Sequence, residues 1–138
     1  MSDEPQILNF RNVVAHGVDI VDISDFSRLV IDKKASEFLG RYFTVAELAA
    51  ADKGGDKTER LASRFAIKEA VLKALGTGWG DGVAFTDVEV VTLRSGAPSI
   101  VLHRRLKTIS SGLGIAHWLA SASHTGTIAI GSVIALKE

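Results

Sequence analysis

The sequence predicts an α+β fold in which a small, mainly antiparallel sheet packs with several helices. Three observations carry that prediction. Stretches rich in β-branched residues stand near both ends of the chain, at residues 13–23 and 127–136. A long helical pattern lies between them, at residues 58–75. The last third is β-rich, with strand-like segments separated by short turns.

In chain order, residues 1–12 read as a polar tail and residues 13–138 as one domain. VVAHGVDIVDI at 13–23 is the first strand. Ser24 or Asp25 is placed to cap a short helix running to about Ile31, and a second helix is expected over 34–39. Thr44 followed by Glu47 is a capping-box pattern that opens a further helical turn. KGGDK at 53–57 is a loop by composition. The long helix follows and closes at Gly76, a C′ glycine. Strands at 83–93 and 99–103 flank a turn at 95–98, and residues 104–113 are helical. Segments 118–124 and 127–136 form a hairpin around Gly126. The final strand is apolar on both alternating faces, so both should be covered.

Composition narrows the function. The chain has 138 residues, 46% of them hydrophobic, with only two prolines, which excludes a disordered or collagen-like chain. Sixteen basic residues balance sixteen acidic ones, a poor endowment for general nucleic-acid binding. An anionic ligand must then be met by a local cluster of bases. The absence of cysteine removes disulfides, thiol nucleophiles and thiolate metal sites. The first residues carry acids where a secretory signal carries bases, and no apolar run approaches the ~20 residues of a membrane span, so a cytoplasmic protein is expected.

The long helix carries the chemistry. Leu61, Phe65 and Leu72 form one apolar stripe and Ile67, Val71 and Ala74 another, so this helix should be largely buried. It nevertheless carries Arg64, Lys68, Glu69 and Lys73. Ala62, Ala66, Glu69, Lys73 and Gly76 lie close together around the wheel, where the small residues leave space for a ligand cleft. Glu69 and Lys73 also have the order and spacing of an ordinary surface ion pair, worth ~0.2–0.5 kcal/mol. On the first strand, Ala15, Gly17, Asp19, Val21 and Ile23 share one face, and Asp19 is its only charge. A carboxylate buried there must be paired, hydrogen-bonded or bound to metal. Two carboxylates from separate elements, Asp19 and Glu69, suit Mg²⁺; an ion pair of Asp19 with Arg64 or Lys68 fits equally. The run GTGWG at 76–80 follows a helix instead of opening one, so it is a cap and turn, not a phosphate loop. His124 ends a strand beside a turn, whereas His16, His103 and His117 have no metal-ligand spacing.

GVDIV at 17–21, RFAIKEA at 64–70 continued by LKALGTG at 72–78, and SASHT at 121–125 together resemble the small phosphopantetheinyl transferases of the holo-acyl-carrier-protein synthase family. DVEV at 87–90 leading to GAP at 96–98 agrees as well, so the resemblance covers essentially the whole chain after residue 12. It implies transfer of 4′-phosphopantetheine from coenzyme A to a serine of an apo acyl carrier protein, with release of 3′,5′-ADP, in support of fatty acid biosynthesis. It implies Mg²⁺ held by Asp19 and Glu69, with Glu69, or a metal-held water that it orients, as base. Lys73 would act on the leaving phosphate. Arg64, Lys73, Gly76, Thr77, Gly78 and His124 would contact coenzyme A, and a homotrimer would share its sites between subunits. One departure stands out: the family's first helix is commonly basic to meet an acidic carrier, whereas residues 22–34 here mix acids with Arg28, Lys33 and Lys34, to which Arg41 adds. A non-catalytic coenzyme A or nucleotide-binding module is the competing reading, and a purely structural oligomer a third. Neither gives Asp19, Glu69 and Lys73 a joint task.

Overall fold

The computed structural model describes residues 12–31, 35–53, 55–78 and 82–138. The expected tail apart from Asn12, Lys33, Lys34 and the end of the 76–80 run lie outside the described residues. The elements are β1 (Val13–Asp22), α1 (Ile23–Ile31), α2 (Ala35–Tyr42), α3 (Val45–Ala51), α4 (Lys57–Leu75), a 3₁₀ turn (Phe85–Asp87), β2 (Val88–Thr92), β3 (Pro98–Leu102), α5 (Arg104–Gly112), β4 (His117–His124) and β5 (Ile128–Leu136).

The α+β class holds, but the strands divide into two antiparallel sheets, ordered β1-β5-β4 and β2-β3. The strand expected over 83–93 begins only at Val88, because Asp87 closes a turn ahead of it. Its carboxylate accepts the Ala84 N–H at 3.2 Å while its own N–H donates to the Ala84 carbonyl at 2.9 Å. The cap of α1 is likewise Asp22, not Ser24 or Asp25. Asp22 Oδ1 accepts the Ser24 N–H at 2.9 Å, the Ser24 hydroxyl at 2.6 Å and the Asp25 N–H at 3.1 Å. Those bonds, the Ser24 hydroxyl foremost, hold the Asp22 carboxyl below the usual range. The capping box forms as expected, with Glu47 N–H donating to Thr44 Oγ1 at 3.2 Å and Thr44 N–H to Glu47 Oε1 at 2.9 Å. Asp56 caps α4, accepting the Glu59 N–H at 3.1 Å, and Gly76 ends it at φ 66°.

Helix α4 is the axis of the molecule. Its apolar residues divide between two clusters: Leu61 and the partly buried Phe65 pack with Phe26, Phe43 and Leu39, and Ile67, Val71 and Leu72 with Val83, Val88, Val90 and Leu106. Phe65 stacks on Phe85 at 5.4 Å between ring centroids and lies 5.6 Å from Phe26, joining α4 to α1 and to the 3₁₀ turn. The three-stranded sheet covers another side, and there α4 comes to backbone contact. A Cβ on Gly17 would run into the Ala70 carbonyl, and one on Gly131 into the backbone of Ala66 and Ile67. Ala62 and Ala66, expected to border an open cleft, are therefore fully buried, since the sheet occupies that space.

The final strand is covered on one face only. Ala129, Val133 and Ala135 are buried under α4, while Ile128, Ile130, Ile134 and Leu136 on the other face stay half-buried. Beside them Val18, Ile20 and Leu119 are 48%, 63% and 56% exposed.

Candidate active site

The close approach of α4 to the sheet brings its charges to β1. Asp19 stands opposite Gly131 in the β1–β5 register, two residues beyond Gly17. Lys73, one turn beyond Ala70, reaches back and donates to Asp19 Oδ1 at 2.7 Å. The Asp19 carboxylate is mostly buried and the Lys73 side chain mostly exposed, so the pair sits at the rim of the sheet–helix junction. Lys73 is held above the ordinary lysine range, first by the hydrogen bond it donates to Asp19 and by that carboxylate's charge, then by the negative charge of Glu69. Asp19 is thus paired with Lys73, and neither with Arg64 nor with Lys68. Glu69 acts on Lys73 as their spacing predicts, and Asp19 joins them in a three-charge cluster. The Lys73 ammonium lies in the field of two carboxylates from separate elements. Such a donor set, two protein carboxylates with the remaining positions open to water and phosphate, fits Mg²⁺. Among the described residues no third aspartate, glutamate or histidine joins them to form a fuller metal cluster.

Arg64 lies on the opposite side of α4 from Lys73, nine residues and about 900° of helical turn away. Its guanidinium donates to the Arg60 carbonyl at 3.3 Å and the Thr92 hydroxyl at 3.1 Å, and its buried Nε has no hydrogen-bond partner. A cavity of about 570 Å³ lies against it, lined by Lys53, Arg60, Arg64, Val90 and Thr92 among others. Three cations and no carboxylate face that space among its described lining. Burial lowers the pKa of Arg64, with Arg60 adding to the effect and Glu47 opposing it.

Gly76, Thr77 and Gly78 follow Lys73 at the end of α4. The Gly76 N–H donates to the Lys73 carbonyl at 3.2 Å and the Thr77 N–H to the Leu72 carbonyl at 3.2 Å, so these residues cap the helix. Both glycines face open space. His124 stays apart. Ala122 shares the cross-strand row of Gly131 and Asp19, which puts His124 two strands across and two residues along, about 12 Å from Asp19 in backbone terms. Its Nδ1 lies 3.7 Å from Glu59 at the other end of α4. The chain unites Asp19, Glu69 and Lys73, places the cap glycines next to them, and leaves Arg64 and His124 at separate positions.

Sequence reasoning missed two groups. Lys53 and Arg60 join Arg64 at the cavity, on a helix-and-loop spacing that carries no motif. Glu47 was read only as a cap, yet its side chain is wholly buried against the equally buried Lys68, with Nζ 2.7 Å from Oε1. A lysine on a helix apolar on several sides is the signal that an acid elsewhere must pair with it.

Known proteins resemble this chain over most of its length. Residues 15–129 match the family model of the 4′-phosphopantetheinyl transferase superfamily. A holo-[acyl-carrier-protein] synthase of Solibacter usitatus is 37% identical over 122 residues, 88% of this chain and 97% of the relative. The structure of Helicobacter pylori holo-[acyl-carrier-protein] synthase in complex with coenzyme A is similar at a TM-score of 0.76 and 31% identity, covering 87% of this chain and 98% of that one. A Bacillus anthracis holo-(acyl-carrier-protein) synthase in complex with CoA (3′,5′-ADP) is similar at a TM-score of 0.74 and 29% identity, covering 92% and 99%. The chain belongs to the 4′-phosphopantetheinyl transferase superfamily and, within it, to the holo-[acyl-carrier-protein] synthases.

Proposed function

We propose that this chain moves 4′-phosphopantetheine from coenzyme A to a serine of an apo acyl carrier protein, releasing 3′,5′-ADP in a Mg²⁺-dependent reaction. The observation that carries this reading is the meeting of Asp19 from β1 with Lys73 of α4, in the field of Glu69. Asp19 and Glu69 would hold the cation, which when bound supplies positive charge to the pyrophosphate as the phosphoryl group transfers. The serine oxygen forms a bond to the phosphorus bearing the pantetheine arm, and the bond from that phosphorus to the oxygen of the leaving 3′,5′-ADP breaks. Glu69, directly or through a water it orients, takes the serine proton. Lys73 stays charged through neutral pH and stabilises the leaving phosphate. Gly76 and Gly78, with no side chains in the way, leave room for the coenzyme next to Lys73. The Arg64 cavity with Lys53 and Arg60 supplies a second concentration of positive charge suited to a further phosphate of coenzyme A.

Assembly completes the site. The uncovered apolar face of the three-stranded sheet supports a homotrimer, and the ~12 Å between His124 and Asp19 within one chain supports a site that draws His124 from a neighbouring subunit.

The test is release of 3′,5′-ADP on mixing the protein with coenzyme A, Mg²⁺ and an apo carrier. Release should follow carrier addition, stop on chelation with EDTA, and resume when Mg²⁺ is restored. Release that persists under chelation contradicts the metal-dependent reading.

A further inference from the structure

Lys68 is an ammonium with no access to solvent, adjacent in sequence to Glu69. It donates to Glu47 Oε1 at 2.7 Å, to the Phe85 carbonyl at 3.1 Å and to the Val88 carbonyl, so its hydrogen-bonding capacity is filled. Glu47 is equally committed. It accepts the Thr44 N–H on Oε1 and the Val90 N–H on Oε2 at 3.0 Å. Phe43 covers the ammonium, with its ring centroid 5.4 Å away. A single pair therefore ties α4 to α3, to the 3₁₀ turn and to β2.

Its placement on the helix gives that tie a consequence. Lys68 is two residues from both Ala66 and Ala70, about 200° of turn, so it lies opposite the side that α4 presses on Gly17 and Gly131. Glu69 projects between those two sides, about 100° from each. The contact with the sheet fixes how near α4 comes, but it is made of methyl groups and backbone, which resist rolling weakly. Packing of Phe65 against Phe26 and Phe85 also constrains the roll, but without a directional bond. A roll of ~20° would carry a side-chain tip at the helix's outer radius of ~5–6 Å through about 2 Å, enough to undo a hydrogen bond.

We propose that the buried Glu47–Lys68 pair is a positioning device that sets the roll of α4 and so aims Glu69 and Lys73 at Asp19. The inference rests on the transferase reading above, in which those three residues form the reacting centre. Buried ion pairs add little net stability compared with apolar substitutes but have an attested role in fixing register. Misplacement of a reacting group by ~1 Å has effects of the order of a hundredfold.

The experiment uses the full chain carrying Glu47→Gln with Lys68→Met, which removes both charges together, retains a carbonyl oxygen at 47 and keeps an unbranched apolar stem against Phe43. Three quantities are read beside the wild type: kcat at saturating coenzyme A, affinity for Mn²⁺ without substrates, and coenzyme A affinity by calorimetry in metal-free buffer. The expected result is a folded chain by circular dichroism with a lowered urea midpoint, since the Phe85 and Val88 carbonyls lose their donor, together with kcat and Mn²⁺ affinity each lower by tenfold or more and coenzyme A affinity within threefold. Wild-type kcat and Mn²⁺ affinity in the folded variant overturn the proposal. So does an equal fall in kcat and metal-free coenzyme A affinity, which marks general loosening. If the double variant does not fold, Glu47→Asp, which keeps the charge and shortens its reach, is judged by the same criteria. A wild type that transfers nothing fails the transferase reading, while the Mn²⁺ comparison still judges the pair.

Discussion

Lys73 and Asp19 hold each other at 2.7 Å, a contact that the proposed reaction would open to admit substrate and metal. Lys73 is raised above the ordinary lysine value of ~10.4, so its contribution to stability is fully present below that value and lost as pH rises through the raised one. It therefore carries its charge throughout any neutral assay. Asp19→Asn removes the negative charge from the acceptor of that bond and half of the carboxylate pair, and Glu69→Gln removes the other half. Both variants should fold, since Asp19 and Glu69 lie at the rim of the core rather than within it, and both should lose more than ~100-fold in turnover. Near wild-type turnover by either at saturating Mg²⁺ refutes the assignment. At this scale the residues of the candidate cluster were legible one by one. A lone carboxylate on a face of Ala15, Gly17, Val21 and Ile23 declares itself in the sequence, as does the Glu69–Lys73 spacing. Which charges would meet was not legible, because Lys68 and Lys73 look alike along the chain. Only the roll of α4 sends one into the core to Glu47 and the other to Asp19.

Among the elements, α4 depends on two glycines on neighbouring strands. Gly131→Ala would press a methyl group into the backbone of Ala66 and Ile67, an overpacking that costs about 1–3 kcal/mol and displaces Glu69 from Asp19. The urea midpoint and kcat should both fall. Gly40→Ala, exposed inside α2 with nothing within 4 Å of the added carbon, should instead stabilise by roughly 0.5–1 kcal/mol and leave kcat alone. Equal behaviour of the two variants argues against the close-contact account. The helix itself was readable from its stripes and from Gly76, whereas its N-cap Asp56 lay inside a segment that composition marks as loop. The meaning of its alanines was not, because a wheel does not show whether small residues leave space or admit a neighbouring backbone. The division into two sheets was hidden for a related reason: Asp87 interrupts an otherwise continuous strand pattern with a turn sealed by its buried carboxylate and Arg104, 2.7 Å away. Thr44 and Glu47 were the clearest of the caps, since the capping box needs only local spacing.

For the whole molecule, the outer face of the three-stranded sheet makes assembly the central expectation. Val18, Ile20 and Leu119 with the isoleucines of β5 form one apolar surface across three strands, a patch of the kind that marks an interface. Sedimentation equilibrium should report a trimer, and Ile20→Lys with Leu119→Glu should yield monomers that retain secondary structure and lose turnover. A wild-type monomer with full activity contradicts a shared site. The apolar alternation of β5 already required both faces to be covered and pointed to a subunit interface, and among the described residues only one of those faces is covered. The most direct measurement of the account is the intact mass of an apo acyl carrier protein after incubation with this protein, coenzyme A and Mg²⁺. The account predicts a gain of one phosphopantetheine on the wild-type carrier and none on a carrier whose acceptor serine is replaced by alanine; an unchanged mass with several carriers, at saturating coenzyme A and Mg²⁺, would contradict it.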